Sequence, residues 1–271
     1  MQIHQAMTLS LTLTHLYPDN LNLYGDLGNV VTLQRRCEWL GIACHLNALN
    51  LGDSAVSGQT DIYFMGGGQD NDQLAVVDDF HQLKQETIRA DTEAETVFLG
   101  VCGGYQLMGN TFLMGDNQET KGLGIINVKT QAPSKDVKGR CIGNLVVELP
   151  SETYTEIQTI YEQPKEIPQT LVGFENHSGQ TYLGENVAPL ASTRAGFGNN
   201  HEAQYEGARY KNVFGSYMHG SMLPKNPHFA DYMIWLALTR KYRDQNIKLK
   251  ALPDTEEIAA HQYIVHRYGK A

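Results

Sequence analysis

Gly100-Val101-Cys102-Gly103-Gly104-Tyr105-Gln106 is the stretch on which the reading of this chain turns. It follows an apolar run, Thr96-Val97-Phe98-Leu99, and precedes residues with helical spacing. The order is strand, sharp turn, helix, with a cysteine at the apex. Turns of this kind push one side chain out of the fold and carry nucleophiles in hydrolase-type folds. The adjoining helix N-terminus brings partial positive charge, which favours the thiolate, the reactive form of cysteine. The competing reading is a small buried cysteine in a tight turn. Glycines on both sides favour the nucleophile.

Working outward, short apolar runs alternate with amphipathic stretches. Residues 8–13, 42–46, 61–65 and 96–99 read as strands, and residues 27–40 and 74–89 as helices. This alternation predicts an α/β fold with a mostly parallel central sheet flanked by helices. Ligands of such sheets bind beyond the C-terminal strand ends. Three loops leave strand ends there: residues 17–29, residues 66–70 and the Cys102 turn. The second half changes character. Residues 124–129, 142–149 and 171–174 read as strands with turns between them, predicting an antiparallel extension. Residues 154–169 are polar, contain Pro164 and Pro168, and read as a loop. Residues 212–217 form a late strand, Pro224 opens a helix reaching Tyr242, and a last helix covers residues 255–268. With no repeat or linker, a single domain over residues 1–271 is expected, with residues 1–7 and about 243–271 peripheral.

The 271 residues suffice to bury a substantial core. A formal net charge of −9 gives no support to nucleic-acid binding. Cys37, Cys44, Cys102 and Cys141 form no CxxC pair, and read as reduced thiols with no metal site. No basic leader or long uncharged apolar run is present, so no transmembrane segment and a cytoplasmic location are expected.

A cysteine nucleophile needs a base, usually a histidine brought close by the fold. His219 follows a strand and sits in a turn beside Gly220, mirroring Cys102, and is the expected base. His177, in Glu175-Asn176-His177-Ser178-Gly179, also follows a strand. It and Asn176 are possible accessory residues. Attack on an acyl group places negative charge on oxygen, which preorganised N–H groups must meet. Gly66-Gly67-Gly68 and Gly103 supply glycine-rich turns for this, so the backbone of Gly67 and Gly103 is the expected oxyanion hole. Gln106 lies one helical turn after Cys102. Arg140 precedes a strand, and its guanidinium suits a carboxylate substrate. Asp19 and Asp26 lie in the first loop, where turn and capping roles suit aspartate as well as a site role does.

The Gly-x-Cys-x-Gly-x-Gln run resembles the nucleophile motif of the class I glutamine amidotransferases, in their CobB/CobQ-like branch. Four more segments resemble the amidotransferase subunits of lipid II isoglutaminyl synthases: residues 19–29, 64–69, 173–182 and 215–226. The resemblance covers nearly the whole chain. It implies a flavodoxin-like fold and a glutaminase in which Cys102 attacks the amide of L-glutamine, His219 is the catalytic histidine, and Arg140, with Gln106 beside it, binds substrate. It also implies a heterodimer with a Mur-ligase-like, MurT-type partner, which amidates the D-glutamate of membrane-anchored lipid II to D-isoglutamine. No cofactor is expected in this chain. It has no phosphate-binding loop of the Gly-x-x-x-x-Gly-Lys-Ser/Thr type, so ATP and Mg are expected on the partner. A cobyric-acid-synthase-like amidotransferase for another acceptor, an intracellular cysteine peptidase of related fold and an inactive scaffold are the alternatives. One departure stands out. Many class I enzymes carry a glutamate two residues after the histidine, where this chain has Ser221. In the resembled family the partner is thought to supply an acidic residue, so the isolated chain is expected to hydrolyse glutamine poorly.

Overall fold

The computed structural model describes residues 9–22, 25–68, 70–113, 119–133 and 139–269. Residues 1–7, expected to be peripheral, lie outside these, as do residue 8 of the first expected strand and residues 23, 24 and 69 of the site loops. The first half runs β1 (Ser10–Leu16), α1 (Leu27–Trp39), β2 (Ala43–Leu49), β3 (Ile62–Met65), α2 (Asp70–Leu83), α3 (Gln85–Glu93), β4 (Val97–Val101) and α4 (Gly103–Met108). There follow β5 (Thr111–Leu113), β6 (Glu119–Lys121), β7 (Val128–Gln131), β8 (Cys141–Glu148), α5 (Ser151–Thr159), β9 (Thr170–His177) and β10 (Gln180–Leu183). The chain continues through β11 (Ala191–Ala195), β12 (Tyr205–Glu206), β13 (Ala208–Tyr210), β14 (Val213–Ser216), α6 (Met222–Lys225), α7 (Pro227–Lys241) and α8 (Thr255–Tyr268).

The main sheet has the order β13-β14-β4-β3-β1-β2. Its first four pairings from the β2 edge are parallel, and β13 joins antiparallel. Every residue of β3, β4 and β14 is buried, as expected of central strands covered on both faces. Alternate side chains divide between two apolar clusters. Ile62, Phe64, Val97, Leu99, Val101 and Phe214 pack with α1 and α7 residues such as Val30, Leu33, Phe229 and Met233. Tyr63, Met65, Phe98 and Val213 pack on the other side with Val76 and Phe80 of α2. That period-two division is what a pleated strand between two helical layers requires. The edge strand β2 is largely exposed, and α1 and α7 close the layer behind it.

The antiparallel part of the second half takes two forms. β13 adds an antiparallel edge to the main sheet, and two four-stranded sheets stand apart, β10-β7-β5-β6 and β12-β11-β8-β9. The expected helix over residues 74–89 is two helices, because Lys84 leaves helical geometry (φ −132°). Its buried ammonium pairs with Asp79 and lies 4.8 Å from the Tyr17 ring centre. Residues 154–169 are not all loop. The helix α5 starts after Pro150 and buries Thr153 and Ile157, and the irregular chain begins only at residue 160. The two prolines that suggested a loop lie beyond the helix end, where they cost it nothing.

Candidate active site

The register aligns the C-terminal ends of four neighbouring strands: Leu16 opposite Met65, Met65 opposite Gly100, and Ser216 opposite Val101. The segments that follow, residues 17–22, 25–26, 66–68, 102–104 and 217–221, therefore emerge side by side. Cys102 joins β4 directly to α4 with φ 51° and ψ −106°. A left-handed conformation at a non-glycine residue costs about 1–3 kcal/mol and persists only where the surroundings hold it. Here the Cys102 N–H donates to the Ser216 carbonyl at 2.8 Å, and the Cys102 carbonyl accepts from Gln106 at 2.9 Å. Gly104 lets the turn settle on β3, since a Cβ there would meet the Met65 carbonyl oxygen at 2.4 Å. The Cys102 side chain is half-buried.

His219 lies just beyond β14, its N–H donating to the Phe174 carbonyl at 2.7 Å. Its ring is buried, with Nδ1 3.8 Å from Asp26 Oδ1. Burial opposes a charge on this ring, but the neighbouring Asp26 and Cys102 outweigh it and push its pKa up to about 10. The imidazole thus stands between a thiol and a carboxylate, and an imidazolium is favoured there.

Asp26 was legible only as one of two candidates in the first loop; the structure separates them. Asp19 is exposed, whereas Asp26 is completely buried. Asp26 occupies the N-cap position of α1 and yet makes no capping hydrogen bond with its side chain. Asn22 caps instead, its Oδ1 accepting from the Leu27 N–H. The Asp26 carboxylate turns inward, where Oδ2 accepts from the Gly67 N–H at 3.0 Å. This corrects the expected oxyanion hole, because the Gly67 amide is committed to Asp26. The Gly68 nitrogen is the amide beside Gly103: a Cβ on Gly103 would sit 3.0 Å from it. Asp26 and His219 are far apart in sequence and meet only in the folded sheet. Ser221 is part of the same arrangement. With φ 51° and ψ 77°, it donates from Oγ to the Gly25 carbonyl at 2.5 Å. Two residues on, the Leu223 N–H donates to Asn29 Oδ1 at 3.0 Å.

The remaining predicted residues form a second group along β9. Arg140, exposed, donates from Nε to Asn176 Oδ1 at 3.0 Å and from Nη2 to the Asn176 carbonyl at 3.1 Å. Asn176 lies two positions from Phe174, which carries the backbone bond to His219, so Arg140 stands on the same rim. Gln106 donates from Nε2 to Tyr217 Oη at 3.2 Å. His177 stacks flat on Tyr217, ring centres 3.6 Å apart, while its Nδ1 meets the Gly179 carbonyl at 2.8 Å. Tyr217 Oη also meets Thr181 Oγ1 at 2.6 Å. His177 therefore braces the segment that leads to His219. No cluster of three or more His, Cys, Asp or Glu side chains suited to a metal occurs among the described residues.

Residues 12–227 match the model of the CobB/CobQ-like glutamine amidotransferase domain. The chain is 33% identical over 260 residues to the GatD subunit of the glutamine-hydrolysing lipid II isoglutaminyl synthase of Staphylococcus aureus strain N315, covering 96% of this chain and 97% of that one. It is 36% identical over 251 residues to the GatD subunit of Streptococcus pneumoniae strain R6, covering 92% and 89%. Among solved structures, a glutamine amidotransferase of Thermotoga maritima superposes with a TM-score of 0.53 at 13% identity, covering 96% of this chain and 99% of that one. PurLQS of the same organism also gives 0.53, at 12% identity, covering 88% and 100%. At such identities the superpositions speak for the fold alone.

Proposed function

The chain belongs to the CobB/CobQ-like glutamine amidotransferase family, and from that membership we propose that it is the glutamine-hydrolysing subunit of a lipid II isoglutaminyl synthase, working through Cys102 and His219. Cys102 Sγ attacks the side-chain carbonyl carbon of L-glutamine, and the oxyanion that forms is met by the amides of Gly103 and Gly68. His219 delivers its proton to the departing nitrogen, the C–N bond breaks, and ammonia leaves a glutamyl thioester on Cys102. Water, deprotonated by His219, then cleaves the thioester, releasing glutamate and restoring the thiol. Arg140 holds the α-carboxylate of glutamine, with Asn176 fixing the guanidinium, and Gln106 and His177 steady the wall around Tyr217.

The partner in this reading is a Mur-ligase-like subunit carrying ATP and Mg, which activates the D-glutamate carboxylate of lipid II and receives the ammonia as a heterodimer with this chain. The reaction is placed on the cytoplasmic side of the membrane. No helix among the described residues is long and apolar enough to cross a bilayer.

The observation that carries the reading is a cysteine at φ 51° beside a buried histidine whose Nδ1 lies 3.8 Å from a buried carboxylate. The test is ammonia release from glutamine, by the chain alone and with the ligase subunit. Wild type is expected to release ammonia, and Cys102→Ala to lose at least about 10³-fold in kcat. Ammonia release that survives Cys102→Ala, or casein cleavage without glutaminase activity, would overturn it.

A further inference from the structure

We propose that Asp26 is the positioning residue for His219, and that Ser221 holds it in place, so that the carboxylate of this site comes from the chain's own first loop. Three observations converge. Asp26 is completely buried and leaves the helix cap that its position offers, directing its carboxylate into the site instead. One oxygen is anchored by the Gly67 N–H, while Oδ1 has no hydrogen-bond partner among the described residues and lies 3.8 Å from His219 Nδ1. That is ion-pair distance, about 1 Å beyond a hydrogen bond, and contacts of this kind often tighten when substrate binds. Finally, the loop carrying Asp26 is fastened to the turn carrying His219 at two points, Ser221 Oγ to the Gly25 carbonyl and Leu223 N–H to Asn29.

The chemistry follows from the geometry. A carboxylate at Nδ1 fixes the ring so that Nε2 is presented to Cys102, and it stabilises the imidazolium that accompanies a thiolate. Ser221, two residues after His219, is uncharged and supplies no acid itself. It secures Asp26. The charged and titratable groups around the pair are Cys102 from the β4–α4 turn and His15 from β1, with Asp19 also acting on His15. Burial lowers the His15 pKa to about 4, outweighing Asp26 and Asp19, which raise it, so His15 is neutral at working pH and does not compete for the Asp26 charge.

This inference rests on the glutaminase reading for its consequence but not for its test. The test is the rate of Cys102 alkylation by iodoacetamide from pH 5 to 9, read on the Cys102 peptide by mass spectrometry. Wild type, Asp26→Asn, Asp26→Glu and Ser221→Ala are compared, with folding checked by circular dichroism. Near pH 6, Asp26→Asn is expected to alkylate about tenfold more slowly, Ser221→Ala to fall between it and wild type, and Asp26→Glu to recover part of the loss. With glutamine, Asp26→Asn should lose about 10²-fold or more in kcat while KM moves less than about threefold. An alkylation profile in Asp26→Asn identical to wild type overturns the proposal. Should that variant fail to fold, an unchanged profile in Ser221→Ala overturns it. A wild-type chain with no glutaminase activity, but with an Asp26-dependent profile, would sink the glutaminase reading and leave this one standing.

Discussion

Gly28 has room for a hydrogen and nothing larger. A Cβ there would lie 2.1 Å from Ser221 Oγ and 2.8 Å from Ser221 Cβ. Gly28→Ala should therefore cost about 1–3 kcal/mol. Adding Ser221→Gly removes the clash and frees a left-handed position, so the double variant should melt above Gly28→Ala alone while its glutaminase activity stays low. Thermal melts of the four members of this cycle check the coupling. At this scale the sequence marked out Cys102 and His219 as candidates because each follows a strand and touches a glycine. It gave Asp26 only as one of two candidates, since an aspartate ahead of a helix reads equally well as a cap. Nor could it tell that the Gly67 amide is taken by Asp26. The partner of a backbone N–H depends on a distant chain segment, and Gly25 and Ser221 meet across 196 positions.

At the scale of elements, β12 carries a second buried carboxylate beside the site. Glu206 Oε1 accepts from Ser216 Oγ and from the Tyr217 N–H, both at 2.7 Å, which fastens the end of β14 just before His219. Burial pushes the Glu206 carboxyl up from 4.5 to about 7, against the pull of those hydrogen bonds and with Glu175's charge adding to the rise. A folded pKa above the unfolded one means that the native protein keeps a proton the unfolded chain has released. This contribution is whole below about pH 4.5 and falls away as pH climbs through 7, by up to about 3 kcal/mol. Glu206→Gln keeps the acceptor and abolishes the titration. It should be more stable than wild type at pH 8 and no more stable at pH 4.5, as urea unfolding at the two pH values will report. Elements with strong periodicity, such as α1 and α7, were readable to within a few residues. The break at Lys84 was not, because an amphipathic run gives no sign that one lysine will bury its ammonium against Asp79. The short strands β5, β6, β10 and β12 were missed because pairing across sheets, rather than local pattern, defines them.

Across the whole molecule, Arg36 of α1 binds Asp231 of α7 through Nε at 2.7 Å and Asp254, just before α8, through Nη1 at 2.7 Å. Lys165 and Tyr161 join the same carboxylates. Arg36→Met leaves the two buried aspartates with Lys165 and Tyr161 alone and should cost about 3–5 kcal/mol in urea unfolding. Burial works against the Asp254 charge, yet hydrogen bonds from Arg36 and Lys165 hold its carboxyl below the usual 3.8. The stability this gives is present above that value and lost as pH drops beneath it, so the gap between wild type and Arg36→Met should narrow in acid. The alternation of strands and helices made the parallel sheet readable, whereas nothing in the pattern says that the later strands gather into two sheets of their own. The strand order also has a bearing on biogenesis. β4, wholly apolar, pairs on one side with β3, its predecessor among the strands, but on the other with β14, which the ribosome delivers only after most of the chain. Until Val213 emerges, the nascent protein carries an open, hydrophobic strand edge, the kind that recruits other chains or holding chaperones. The same late strand brings His219, so a half-made chain displays its cysteine turn without that histidine: on the proposed mechanism, synthesis itself withholds the chemistry until the edge is sealed.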